Sequence, residues 1–331
     1  MASEPELLEY FLAPPISLEI AHTLTLLFAA AYVGSLYLSK YTRLSFSDKS
    51  IRVGSGGSKE RGANERWRDD PDVIRARLAI VSLVTVFCCF VVYAVIRAVS
   101  WYKVGVFYST IVRLGFHLSS VESVYPFLLA PLLYLGPIYA SYLGEHLPFQ
   151  FYFSWRRDVV DTFISWQGVR NYVLGPITEE IVFRACVLSL YHLGGASRTW
   201  MIFGSPISFG FAHLHHAWEI YNRYGRTRTA LKNAALTTLF QLSYTTLFGA
   251  FCAYLFLITG SIYPPIFAHI FCNVMGLPQI GLEIRRFPAH KQSIMVAYCI
   301  GIIGFAFALR PSAFARLSSM YWRSGSMVGW F

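Results

Sequence analysis

The chain has 331 residues, 55% of them hydrophobic and only 14% charged, with a mean hydropathy of +0.46. A soluble domain carries about 25% charged residues, so a water-soluble globular protein is excluded, and several apolar runs near bilayer length predict an all-α, polytopic helical membrane protein. The net charge of +10 is scattered through loops between the apolar runs, the pattern of positive-inside topology and contact with anionic membrane lipid rather than of nucleic-acid binding.

Glu4 and Glu6 precede the first apolar run with no basic n-region, so the first span, from about Ser17 to Ser39, is expected to be an uncleaved anchor. The polar stretch from about Lys40 to Arg77 is dense in lysine and arginine and carries Gly54, Gly56, Gly57 and Ser58. It predicts a cytosolic loop, partly disordered at its centre, with the acidic N-terminus on the far side. A second span follows from about Leu78 to Val99. The third, about Val124 to Leu143, contains Pro126, Pro131 and Pro137, which predict a kinked or broken helix.

Trp155 to Val173 mixes Asp161, Gln167 and Arg170 with aromatics and predicts an interfacial or partly buried helix. After a central helix come Trp200 to Ala212, a basic loop with Arg223, Arg226, Arg228 and Lys232, and a long span near Ala234 to Ile258. Ser261 to Pro265 is expected to break the chain before a short helix at about Ile266 to Met275, and Ser293 to Leu309 to form the last span. This predicts seven to eight membrane helices in one membrane domain over residues 1–331, with the chemistry in residues 155–280. Arg310, Arg316 and Arg323 favour a cytosolic tail.

The central helix, from Pro176 to Leu193, is the informative stretch. Pro176 sits where a proline opens a helix and Gly194-Gly195 where glycines close one. The roughly 18 residues between span about 27 Å, nearly a bilayer core. Yet Glu179, Glu180 and Arg184 lie in this apolar run. An ionisable side chain at mid-membrane costs about 2.5–3.5 kcal/mol even on lenient scales and points to function. Glu180 and Arg184 are four apart and predict an ion pair on one face. Glu179 lies about 100° around the helix and must find a proton or partners on other helices.

Two other apolar segments offer such partners. His213 ends the run from Pro206, with His215 and His216 after it, and His269 and Asn273 share a helix face four residues apart. Polar side chains that avoid lipid converge on the bundle interior, although a lone membrane histidine is more often an interhelical hydrogen-bonding group than a catalyst. Together they suit hydrolysis by water. A carboxylate in an apolar pocket can act as general base, a histidine can hold the water, and histidine and asparagine N–H groups can stabilise an oxyanion. The six cysteines all fall in apolar segments without a CxxC pair and are expected to pack as small hydrophobes, Cys186 on the central helix included.

Two rival readings stay open on the residues. Glu179, His213 and His269 could form a zinc site, although the sequence has no HExxH and asparagine is a poor zinc ligand. A non-catalytic membrane scaffold would keep the same side chains as packing glue.

The motifs Glu179-Glu180-x-x-x-Arg184, Phe209-x-x-x-His213 and His269-x-x-x-Asn273, in this order over about residues 170–280, resemble the CAAX prenyl proteases of the Rce1 type. These lie within the wider CPBP group (CAAX protease and bacteriocin-processing) of intramembrane glutamic proteases. Gly249 to Pro278 is similar to the eukaryotic branch. The resemblance implies an intramembrane endopeptidase of the endoplasmic reticulum that removes the last three residues from prenylated CaaX proteins such as Ras-like small GTPases. It further implies that Glu179 and His213 activate water, that His269 and Asn273 form the oxyanion hole, that Glu180 and Arg184 support the site, and that no metal or other cofactor takes part.

Overall fold

The computed structural model describes residues 13–46, 64–101, 104–117, 124–314 and 319–322. The acidic N-terminus, the glycine-rich centre of the basic loop, and Arg316 and Arg323 of the tail lie outside them. Apart from one isolated bridge between Ser45 and Arg66, the regular structure among the described residues is helical.

Four helices are long and apolar enough to cross a membrane singly: Leu18–Leu38, Pro71–Val99, Arg228–Thr259 and the run Pro288–Ala308. The first fits its expected bounds because Ser17 caps it, its hydroxyl accepting from the Ile20 N–H. The second starts earlier than expected, at Pro71, where a proline fits a first turn. Tyr125–Leu133 and Leu135–Leu143 meet at 65°, the break that the prolines predict, and Tyr263–Met275 and Ile280–Arg286 meet at 48°. Counting each bent pair as one span brings the number to six. The expectation of seven to eight also included the central helix and the 200–212 segment, and both of these helical runs are divided by π turns.

Those π turns are the main feature absent from the sequence reading. Hydrogen bonds reaching five residues back join Asp161 to Arg156, Gly175 to Arg170, Val187 to Val182 and Ser205 to Trp200. Such turns add a residue per turn, re-aim the side chains after them and gather at functional sites. Glycine closes one of them: a Cβ on Gly175 would collide with the Arg170 carbonyl.

The described residues form two compact units. One is built from the described parts of Met1–Leu114 and from Thr178–Tyr254. Here the Leu18–Leu38 helix packs against Pro71–Val99, Val187–Leu193 and Pro206–Ala212. The other is built from the described parts of Gly115–Ile177 and Leu255–Arg323. In it the Lys291–Ala308 helix packs on both limbs of the bent Tyr125–Leu143 pair, while Tyr263–Met275 packs on Tyr125–Leu133 and on Val169–Leu174.

Candidate active site

The central helix runs on from Val169–Leu174 through Gly175–Glu180, a π stretch at Ile181–Cys186, and Val187–Leu193. Pro176 therefore lies inside a helical run and does not open one. The preceding turn is already π-wound, so the helix passes through a residue that lacks an N–H. The glycines behave as expected: Gly195, at φ +68°, follows the last turn.

In the first unit, Glu180 and Arg184 form the predicted ion pair, Oε2 to Nε 3.1 Å, with side chains 0% and 1% exposed. The guanidinium lies 4.3 Å from the centre of the Phe209 ring, a cation–π contact made where water is excluded. Gly249 lets the Arg228–Thr259 helix approach this pair, since a Cβ there would stand 2.8 Å from Pro206 and 3.1 Å from Arg184 Nη2. Glu179 is half-buried on the neighbouring face. The residue before it, Thr178, shares a buried 2.8 Å hydrogen bond with the Tyr32 hydroxyl, whose ring packs on Phe183. The first span is thus bound directly to the glutamate turn. Tyr32 looks in sequence like any other aromatic of an apolar span, and so gave no signal.

His213 caps the Pro206–Ala212 helix. Its Nδ1 lies 2.9 Å from the Phe209 carbonyl. A carbonyl only accepts, so Nδ1 carries the proton and Nε2 of the neutral ring is left as an acceptor. The ring stands edge-on to Phe209, centroids 4.7 Å apart, and Phe209 packs on Phe183 at 5.2 Å. One phenyl ring thus touches both His213 and Arg184, joining two of the motifs picked out in the sequence. His215 donates from Nδ1 to the Ala212 carbonyl at 2.7 Å and lies against the His216 ring, centroids 4.1 Å apart and planes tilted by 40°. Burial, and then the neighbouring His216, push the His215 pKa down to about 3, so it is neutral at physiological pH.

In the second unit, His269 is buried and Asn273 exposed, one turn apart on the Tyr263–Met275 helix. This helix starts three residues before the expected Ile266, because Pro264 and Pro265 fit its first turn and do not break it. Its far end is held by the Tyr134 hydroxyl, which donates to the Gly276 carbonyl at 2.9 Å. The Asn273 amide nitrogen donates to the Asn171 carbonyl, also at 2.9 Å.

Each unit thus holds a distinct chemistry. The first offers a half-buried carboxylate and an imidazole whose outer nitrogen accepts; the second offers an imidazole and an amide that can donate. Cys186 is fully buried and meets the Cys89 thiol at 3.7 Å, a setting for packing. Among the described residues, no group of three or more His, Cys, Asp or Glu side chains is arranged to hold a metal ion.

A family model of type II CAAX prenyl endopeptidases, Rce1-like, matches residues 161–275. A probable CAAX prenyl protease 2 of Schizosaccharomyces pombe is 34% identical over 238 residues, 72% of this chain and 79% of that protein. The chain belongs to the Rce1-like CAAX prenyl endopeptidase family. The CAAX prenyl protease 2 of Homo sapiens is 30% identical over 300 residues, 86% of this chain and 78% of its own length, and that of Caenorhabditis elegans 38% identical over 188 residues, 56% and 67%. No solved structure matches. As a member of this family the chain is a multi-pass membrane CAAX prenyl endopeptidase, and the matched residues carry all three polar motifs.

Proposed function

We propose that this endopeptidase removes the C-terminal tripeptide from prenylated CaaX proteins, Ras-like small GTPases among them, at the endoplasmic reticulum membrane. Glu179 takes a proton from water as the water attacks the carbonyl carbon of the prenylated cysteine. His213 holds that water through Nε2. His269 and Asn273 donate to the developing oxyanion. As the intermediate collapses, the C–N bond breaks and the departing tripeptide receives the proton at its new amino group. Glu180 and Arg184 support the turn that carries Glu179. The substrate suits the chain, because a lipidated C-terminus arrives from the membrane in which these helices lie.

The observation that carries this reading is the division of roles on the central helix. Glu180 is fully buried and engaged by Arg184, while Glu179 is half-buried on the adjacent face. A carboxylate that only neutralised Arg184 would need no second glutamate beside it.

The test is cleavage of a farnesylated CaaX peptide by the purified Glu179→Gln protein in detergent. Loss of a general base lowers the rate by about 10²–10⁴-fold, and that loss is expected with thermal stability retained. Cleavage at the wild-type rate would remove Glu179 from the chemistry.

A further inference from the structure

We infer that Pro176 is a positioning residue for Asn273: by withholding one backbone N–H it frees the Asn171 carbonyl to orient the Asn273 amide. This rests on the oxyanion role proposed above for Asn273.

Through Val169–Leu174 the hydrogen bonds run in π register, and the Gly175 N–H reaches the Arg170 carbonyl five residues back. In the same register the Asn171 carbonyl would receive the N–H of residue 176. That residue is proline and has none. A carbonyl passed over by the ladder is left open to another donor. Here the donor comes from a different part of the chain, the Asn273 side-chain nitrogen at 2.9 Å. The two elements are packed neighbours in the second unit, so this bond is part of an established helix contact.

The consequence for Asn273 is geometric. Its partner is a pure acceptor, so the amide is fixed with nitrogen, not oxygen, towards Asn171. The amide group is planar, and with one N–H engaged the other points in a set direction about 120° away. An exposed asparagine at the end of a helix would otherwise sample several rotamers. The pre-aimed N–H is the group an oxyanion can use without reorganisation. On this account the sequence separation between residues 171 and 273 is bridged by the absence of one hydrogen on Pro176.

The test is a mutant cycle on the full chain in detergent, with a farnesylated CaaX peptide as substrate. Pro176→Ala, or Pro176→Ser if the alanine variant does not fold, restores an N–H that competes for the Asn171 carbonyl. It is expected to lower kcat about tenfold with KM unchanged, less than the ~10²-fold loss expected for Asn273→Ala, which deletes the donor outright. The double variant is expected to be no slower than Asn273→Ala alone, because Pro176 acts through Asn273. Wild-type kcat in the Pro176 variant beside an impaired Asn273→Ala would overturn the positioning and leave the oxyanion role standing. Losses that multiply in the double variant would overturn it too, since Pro176 would then act by another route. Asn273→Ala at the wild-type kcat would end the oxyanion role, and the positioning with it.

Discussion

On the central helix charge is sealed among aromatic and apolar side chains and is neutralised on the spot, Glu180 by Arg184, with Phe209 covering the guanidinium. On the Tyr263–Met275 helix the exposed Asn273 is an uncharged amide, held by a single backbone carbonyl. The first region keeps a pair of ions away from water, whereas the second holds an uncharged amide by one hydrogen bond. Mutations should therefore separate the two groups: loss of stability is expected at the Glu180–Arg184 pair, and little loss of stability at Asn273.

The largest stability effect follows from the ion pair. Glu180→Ala or Arg184→Met strands one buried charge and is expected to cost about 3–5 kcal/mol, whereas Glu180→Leu with Arg184→Met, which removes both, should be much milder. Asn273→Ala breaks one neutral hydrogen bond and should cost only about 1 kcal/mol. Thermal unfolding in detergent reads all four. An Asn273→Ala loss as large as that of Arg184→Met would erase the contrast between the regions.

The charge pattern of the central helix is what made the site legible in sequence. Glu180 and Arg184 pair at the four-residue spacing read from the chain, and Phe209-x-x-x-His213 supplies the phenyl ring that touches Arg184 as well as His213. The Leu18–Leu38 span and the bend within residues 124–143 were equally legible, because a serine cap and dense prolines carry their physics locally. The π turns were not. At the Ile181–Cys186 turn, residues 182–193 are buried all round, so no polar face exists whose period could reveal an extra residue per turn. The true setting of Pro176 was hidden because it depends on Gly175 before it and on Asn273 nearly a hundred positions later. Tyr32 was hidden for a related reason, since its bond to Thr178 joins two segments that share no pattern.

A smaller effect lies beside His213. The folded His215 pKa is about 3 against an ordinary value of 6.5, so between these values the unfolded chain binds a proton that the folded chain does not. His215 therefore contributes stability above about pH 6.5, and this contribution is lost progressively as pH falls towards 3. His215→Gln should flatten the decline of Tm between pH 7 and pH 5. An unchanged acid limb in that variant would show that His215 is not the group responsible.

The central claim is that Glu179 and His213 act on one water. Single-turnover cleavage of a farnesylated CaaX peptide by Glu179→Gln, His213→Ala and the double variant tests it most directly. Groups that work as a unit are strongly non-additive, so the double variant is predicted to be about as slow as the slower single one. Two losses that multiply, or a Glu179→Gln enzyme that still cleaves at the wild-type rate, would contradict the account.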